Sequence, residues 1–165
     1  MCTLRPASET GDDGPVEWWR AKRVLNAVNG STLLGLGVGL AGRTRFTRGP
    51  RGLVLATGYQ LRAPPAPAFT IGNVILARQD ETWLHDRPRL LAHEERHSWQ
   101  YAACLGLPLL PLYVLAAAWS WARGGDVAVH NAFERLAGLA DGGYPTISAR
   151  VRRRSRPQRK RWGST

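Results

Sequence analysis

The spacing of apolar residues in the first half of the chain predicts one helix followed by several short strands. Apolar positions recur at helical intervals from Pro15 to Val28, and Asn29–Gly30 ends the pattern. From Ser31 to Ala77, apolar residues are interleaved with glycines, and prolines separate the runs, which is typical of strands and turns. The predicted strands are Leu33–Leu40, Leu53–Leu61 and Phe69–Leu76. We therefore expect a small antiparallel sheet.

The second half of the chain predicts helices. Apolar residues recur at helical spacing over 84–105, 112–123 and 131–140, with glycines and prolines between these segments. Asp86 is a candidate N-cap for the first helix, and Pro88 fits its first turn. A sheet followed by helices indicates the α+β fold class, here a small antiparallel sheet followed by a helical core.

An uncharged stretch from Trp99 to Ala122 raises the question of membrane contact. Tryptophan near both ends is typical of a membrane segment, whereas Gly106 and the prolines that follow it interrupt the helix. Three interpretations are open: a helical hairpin buried in the core, contact with a membrane surface, and a true span. We favour the hairpin, because a membrane span would place the residues before it and the residues after it on opposite sides of the bilayer.

The length of the chain predicts a single domain, and the distribution of its charges predicts a basic tail. A chain of 165 residues accommodates one domain of ordinary size. Eight of the 23 basic residues lie between residues 150 and 161, so the net charge of +11 is concentrated there and 15 basic residues remain against 12 acidic ones. We expect a disordered segment over 1–14, one α+β domain over 15–145 and a disordered basic tail over 146–165.

The basic tail predicts attraction to anionic surfaces. Arg152, Arg153 and Arg154 are candidate contacts for lipid headgroups or nucleic-acid phosphates. No aromatic residue is interleaved with the arginines before Trp162, so we expect no specific recognition of nucleic acid by base stacking. A solvated tail with nonspecific attraction is the simpler alternative.

The cysteines and the first residues favour a cytoplasmic location. Cys2 and Cys104 cannot form a disulfide framework, which fits a reducing compartment. Residues 1–14 are polar and lack the apolar segment of a secretory signal. We expect a cytoplasmic protein, with association to a membrane surface as an open alternative.

The candidate chemistry lies in the predicted helix over 84–105. His93 and His97 are four residues apart, so both imidazoles project from one face and can bind a single Zn²⁺. Glu94 follows the first histidine, where it can accept a proton from a water molecule that the metal activates. This HExxH pattern is that of zinc peptidases, although a solvated helix surface can carry the same letters.

A catalytic zinc site needs a third protein ligand. Candidates downstream are Asp126, His130, Glu134 and Asp141. We favour Glu134, because it lies on the last predicted helix with small residues one turn further on. His130, one turn earlier on the same predicted face, is either a ligand itself or a catalytic donor that stabilises an oxyanion, and Tyr144 is a further candidate for that donor. A plain surface glutamate is the alternative for Glu134.

The order of a strand that ends near Leu76, an HExxH helix that continues to Gln100 and a later helix with Glu134 resembles gluzincin-type zinc metallopeptidases, especially their small bacterial members. In that family the two histidines and the downstream glutamate bind one zinc ion, and the glutamate of HExxH is the general base. The residues implied for these roles are His93, His97, Glu134 and Glu94.

The resemblance also concerns the substrate. It implies that an edge strand before the helix, Phe69–Leu76, aligns a peptide or protein, which makes Ile71 and Asn73 candidate substrate contacts. Two features depart from the family pattern: Gly138 stands where larger gluzincins carry an aspartate, and both central positions of the motif are charged.

The function expected from these features is zinc-dependent hydrolysis of a peptide bond. One alternative is a non-catalytic metal-binding or membrane-associated protein. A second is a protein that binds lipid or nucleic-acid surfaces through its basic tail.

Overall fold

Helices surround a small sheet in the computed structural model, which describes residues 16–144. The helices are α1 (Val16–Val28), α2 (Ser31–Ala41), α3 (Glu81–His85), α4 (Pro88–Ala103), α5 (Leu109–Gly124) and α6 (Ala132–Ala137). The strands are β1 (Arg45–Arg48), β2 (Val54–Thr57), β3 (Ala68–Ile71) and β4 (Val74–Ala77), with a 3-10 turn over Pro50–Gly52. The predicted segment 1–14 and the basic tail 146–165, with Arg152, Arg153 and Arg154, lie outside the described residues.

The four strands form one mixed sheet in the order β1-β2-β4-β3, which places β3 at an edge. The pairs β1–β2 and β3–β4 are antiparallel, but β2 and β4 are parallel, with Val54 opposite Val74. The chain crosses one end of the sheet between β2 and β3, so β3 runs back along the edge and β4 returns between β3 and β2. The α+β class is confirmed, whereas the expectation of an antiparallel sheet is wrong at this central pair.

The first predicted strand, Leu33–Leu40, is instead part of helix α2. The buried residues of this helix are a serine and two glycines, while Leu33 and Leu40 are each 69% exposed. A β-carbon on Gly35 would lie 2.5 Å from the carbonyl oxygen of Ile71, so glycine lets α2 approach the β3–β4 hairpin closely. Alternating leucine and glycine residues are compatible with the periodicity of either a strand or a helix. The close contact with the hairpin favours the helix.

Local capping residues set the helix boundaries around the HExxH segment. Asp80 caps α3 by accepting a hydrogen bond from the backbone N–H of Trp83 (2.8 Å). Asp86, expected as the N-cap of the following helix, instead ends α3, and Pro88 begins α4 as expected. Helix α6 ends before residue 140 because Gly138, at its C-terminus, leaves helical geometry with a φ of 90°.

Both faces of the sheet are covered, which produces two apolar clusters. Val74 and Leu76 of β4 join a cluster with Tyr101 of α4 and side chains of α2 and α5. Ile75 points to the opposite face and joins a second cluster with Leu84 of α3. Helix α4 contributes to both clusters and lies against the edge strand β3. This packing brings the HExxH segment beside the edge of the sheet.

Helix α5 contains much of the uncharged stretch. Its buried residues in the described part of the chain are Leu109 and Ser120, whereas Val114 and Trp119 are more than half exposed. The expected break at Gly106 is present, with a φ of 90°, but the expected burial of the stretch in the core is wrong. Among the described helices, none alone is long and apolar enough to cross a bilayer; only the pair α1 and α2, bent by 72°, meets that test in combination.

Replacement of Gly35 by alanine should lower the free energy of unfolding by about 2 kcal/mol, because the added methyl group overpacks the contact with Ile71 and Val74. The matched change Gly37→Ala meets nothing within 4 Å and should raise that free energy by up to about 1 kcal/mol through helix propensity. Urea unfolding of both variants measures the difference. Equal effects of the two changes would contradict the close packing of α2 on the hairpin.

Candidate metal centre

Helix α4 places His93 and His97 on its buried face. The two residues lie one helical turn apart, and their exposed fractions are 2% and 9%. Their ring planes are nearly perpendicular, and the two Nε2 atoms approach to 3.1 Å. Two imidazole nitrogens are therefore directed at one point inside the protein.

Glu134 reaches the same point from helix α6. Asn131 caps this helix by accepting a hydrogen bond from the N–H of Phe133 (3.0 Å), and the following residue, Glu134, is buried against α4. The glutamate oxygens lie 3.4 Å from Nε2 of His93 and 3.6 Å from Nε2 of His97. One ligand atom from each residue lies within 4.8 Å of the others, so the three expected ligands form a group that can hold a metal ion.

Hydrogen bonds on the outer side of each imidazole fix its tautomer. Nδ1 of His93 faces the carbonyl oxygens of Ala137 (3.0 Å) and Gly138 (3.1 Å), which can only accept. Nδ1 of His97 faces Oε1 of Gln100 (2.9 Å), whose amide nitrogen donates to a backbone carbonyl of α6. Both Nδ1 atoms therefore carry hydrogen, and the lone pairs of both Nε2 atoms point at the carboxylate.

The polar atoms at this point suit a cation. Oε2 of Glu134 is buried and has no hydrogen-bond partner among the described residues, while Oε1 accepts a hydrogen bond from the hydroxyl of Tyr113. Burial alone would raise the pKa of Glu134, but the adjacent His93, the hydrogen bond from Tyr113 and the adjacent His97 hold it below its usual range. A buried carboxylate beside two nitrogen lone pairs is a donor set that a divalent metal would satisfy.

Glu94 lies next to this group without being part of it. Its side chain is buried, and Oε2 lies 2.7 Å from the hydroxyl oxygen of Thr70 on the edge strand β3. Burial raises the pKa of Glu94 above its usual value, against the opposing influence of His97, Thr70 and His93. A carboxyl group whose pKa is raised above its usual value is a better proton acceptor than an ordinary carboxylate.

A cavity of about 310 Å³ opens onto these residues. Its wall is largely apolar, apart from the ligand group, Glu94, Thr70 and the tyrosines. The residues that line it are Pro64, Ala66, Ala68, Phe69, Thr70, Ile71, His93, Glu94, His97, Tyr101, Leu110, Tyr113, Glu134 and Tyr144. Edge strand β3 forms one wall and α5 contributes to the other side.

The two predicted substrate contacts have different positions. Ile71 lines the cavity as expected. Asn73 does not line it; its amide donates to the carbonyl oxygen of Arg23 (3.0 Å), and its Oδ1 accepts from Asn26 (3.0 Å) and Ser98 (3.1 Å). Asn73 lies in the turn between β3 and β4, and its side chain faces α1 and α4. Asn73 therefore joins α1 to α4 instead of contacting a substrate.

His130 also lies away from the site. Helix α6 begins only after the Asn131 cap, so His130 precedes the helix and does not share the face of Glu134. Its backbone N–H donates to Oγ of Ser120 (2.8 Å), and it is absent from the described residues that line the cavity. The arrangement gives no support to its predicted role as oxyanion donor.

Two tyrosines, Tyr113 and Tyr144, line the cavity where His130 was expected. Tyr113 binds Glu134 from α5, and the ring centroid of Tyr144 lies 6.3 Å from that of His93. Burial raises the pKa of Tyr144 to about 12. Tyr144 was among the sequence candidates; Tyr113 had no distinguishing signal, because it sits within the uncharged apolar stretch.

The charged residue Glu95, a departure from the family pattern, faces away from the ligand group. It accepts a hydrogen bond from the buried Nζ of Lys22 on α1 (3.2 Å) and a bidentate pair of bonds from Arg51, of which the Nε contact is 2.9 Å. Nζ of Lys22 also lies 5.4 Å from the ring centroid of Trp99. This ion-pair network joins α1 and the 3-10 turn to the back of α4.

Arg96, the second charged residue of the motif, binds the segment at the end of α6 to helix α4. Its guanidinium donates to the carbonyl oxygen of Ala137 and to Oδ2 of Asp141 (2.8 Å). The same segment covers His93 so closely that a β-carbon on Gly142 would lie 2.6 Å from Cε1 of the ring. The charges at the centre of HExxH thus support the backbone around the ligands.

No protein-family model, curated protein or solved structure matches this chain. The resemblance to gluzincin-type metallopeptidases accordingly remains an expectation from the motif, and the case for function depends on the geometry of the site.

The variant Glu95→Gln should lower the free energy of unfolding at neutral pH by about 3 kcal/mol, because it leaves the ammonium group of Lys22 buried without its carboxylate. The matched control Glu81→Gln removes an exposed contact with His85 and should change that free energy by less than about 0.5 kcal/mol. Chemical unfolding monitored by circular dichroism measures both.

The difference between wild type and Glu95→Gln should depend on pH. Burial opposes ionisation of Glu95, but Arg51 and Lys22 outweigh it and hold its pKa below the usual 4.5. An acid with a lowered folded-state pKa stabilises the fold above its unfolded-state pKa, and this stabilisation is lost as the pH falls through the folded value. The difference should therefore be full at neutral pH and shrink below pH 4.5. A difference that is unchanged in acid would contradict the ion-pair network.

Proposed function

We propose that this protein is a zinc-dependent hydrolase that cleaves a peptide bond. The observation that carries the proposal is the buried group of His93, His97 and Glu134, with Glu94 in the wall of the same cavity. Two imidazole nitrogens and one carboxylate are a common ligand set of catalytic zinc, and three ligands leave a fourth position open. When bound, the ion would supply a Lewis acid and lower the pKa of a coordinated water molecule.

Glu94 is the residue best suited to move the proton. Thr70 holds its carboxylate, and burial raises its pKa, so the group can take a proton from water and return it to a leaving amine. It follows His93 directly on α4 but is not one of the three residues grouped as ligands. This division between ligands and base supports a catalytic rather than a purely structural metal site.

Tyr144 supports the proposal as a hydrogen-bond donor. Its pKa of about 12 keeps the hydroxyl protonated at neutral pH, and its ring lies at the cavity near His93. A donor held in a largely apolar cavity can stabilise negative charge that develops on a carbonyl oxygen. Tyr113 is less suited to this role, because its hydroxyl is already bonded to Glu134.

The edge strand supports a polypeptide as the substrate. Within residues 16–144, β3 pairs with β4 on one side only, so its other edge can form backbone hydrogen bonds with an extended chain. Phe69 and Ile71 of this strand line the cavity with other apolar groups. We expect cleavage next to an uncharged, apolar residue, since an apolar wall offers no partner for a buried charge.

Wild-type protein loaded with zinc and then dialysed should retain about one ion per chain, the stoichiometry of a single three-ligand site. His93→Ala and Glu134→Ala should each lose most of that zinc, because two ligands do not retain the ion. The control His85→Ala, which removes an exposed histidine on α3, should keep it. Elemental analysis gives the content, and circular dichroism verifies folding. Stoichiometric zinc in both ligand variants would contradict the site.

Glu94→Gln should retain zinc but lower the rate of peptide cleavage by about 10²–10⁴-fold, because the amide cannot accept the proton. Cleavage of a peptide library rich in apolar residues, followed by mass spectrometry, measures this loss. Glu81→Gln serves as the control and should cleave at the wild-type rate. Equal rates for Glu94→Gln and wild type would remove Glu94 from the mechanism while leaving the metal site standing.

A further inference from the structure

Helices α2 and α5 are apolar on the side that faces solvent. In α2 the buried residues are Ser31, Gly35 and Gly39, whereas Leu33 and Leu40 are each 69% exposed. In α5, Trp119 and Trp121 and their apolar neighbours are likewise exposed on the described part of the chain. A soluble helix ordinarily buries its large apolar residues, and small residues inside with large ones outside are typical of helices that face lipid.

The segments that lead into the two helices lie close together. The loop between α4 and α5 passes so close to the turn between α1 and α2 that a β-carbon on Gly106 would lie 2.5 Å from Cγ of Asn29. Leu105 and Leu107, which flank Gly106, are exposed, and so is Val28, the neighbour of Asn29. We define the apolar surface as the exposed apolar side chains of α2, of this loop and of α5.

The charges around the apolar surface favour an anionic partner. Residues 18–41 and 99–125 contain no aspartate or glutamate, whereas arginines lie at their ends. The guanidinium of Arg123 lies 5.4 Å from the ring centroid of Trp119 on α5. Arginine stacked on tryptophan beside apolar residues suits the boundary between lipid headgroups and acyl chains.

The length of α5 determines how it would meet a bilayer. Its 16 residues extend about 24 Å, which is shorter than the roughly 30 Å of the hydrocarbon core. Leu110 and Tyr113 of the same helix line the cavity, so one side of α5 is occupied by the candidate metal centre. A helix with these constraints fits flat insertion into one leaflet.

We propose that the apolar surface binds the surface of an anionic lipid bilayer, with α5 inserted parallel to the membrane and the neighbouring arginines at the headgroups. This inference is independent of the proposed peptidase activity. The eight basic residues between 150 and 161 would add long-range attraction to the same surface.

Vesicle flotation tests the proposal with the full chain. Binding should be about tenfold or more tighter to vesicles of phosphatidylcholine with phosphatidylglycerol than to phosphatidylcholine alone. The triple variant Leu112→Gln, Val114→Gln, Leu115→Gln should weaken partition roughly tenfold or more, because it removes exposed apolar groups from the inserted side. The control Leu136→Gln changes an equally exposed leucine on α6 and should bind as wild type.

Tryptophan quenching by brominated lipid distinguishes insertion from adsorption of the tail. Quenching should be largely lost in the double variant Trp119→Phe, Trp121→Phe and retained in Trp162→Phe, which lies in the basic tail. Loss of quenching in Trp162→Phe alone, or full vesicle binding by the triple variant, would overturn the proposal. It would also be overturned if the protein fails to float and light scattering shows a dimer that the triple variant abolishes.

Discussion

The attachment of the end of α6 to helix α4 is the interaction on which the candidate metal centre depends. The carbonyl oxygen of Ala137 accepts hydrogen bonds from both His93 and Arg96. This shared carbonyl fixes the first histidine in the correct tautomer and, at the same time, holds α6 where Glu134 can meet the ring nitrogens. A helix of only six residues would not hold that position alone, so the ligand geometry is imposed by its neighbours.

Two buried carboxylates beside the same histidines have opposite pKa shifts. Burial dominates for Glu94 and raises its pKa, while His93, Tyr113 and His97 outweigh burial for Glu134 and lower its pKa. Glu134 is therefore the stronger acid of the two, which suits a metal ligand, and Glu94 is the weaker acid, which suits a group that exchanges a proton. Such a separation of roles between neighbouring carboxylates is a recurrent basis of acid–base catalysis.

Residues with a local pattern were predictable from the sequence. His93 and His97 lie one helical turn apart in any helix, and the apolar context around them predicted that helix. Glu134 was a choice among several residues, and its position depends on how α6 packs. The role of Glu95 was unpredictable, because its partner Lys22 is distant in sequence and only the fold brings α1 behind α4.

Other errors arose where one pattern is compatible with two structures. The leucine–glycine run of α2 matched a strand, and its contact with the β3–β4 hairpin is invisible in sequence. The prediction of Asn73 as a substrate contact assumed one strand over Phe69–Leu76, but Asn73 lies in the turn between β3 and β4, and its side chain joins a network with Asn26 and Ser98. Expectation of a buried α5 followed from the need to keep the residues before and after it on one side of a membrane, an argument that does not reveal which side of a helix has neighbours.

Gly142 has a consequence for how such sites are recognised. Because a β-carbon there would overlap the ring of His93, the position tolerates only a residue without a side chain while the imidazole keeps its place. Glycine at this position is therefore a steric requirement of the candidate metal centre, in addition to the histidines and the downstream glutamate. A search pattern that joins HExxH to that glutamate and this glycine would separate chains able to enclose an ion from surface helices that carry the same letters by chance.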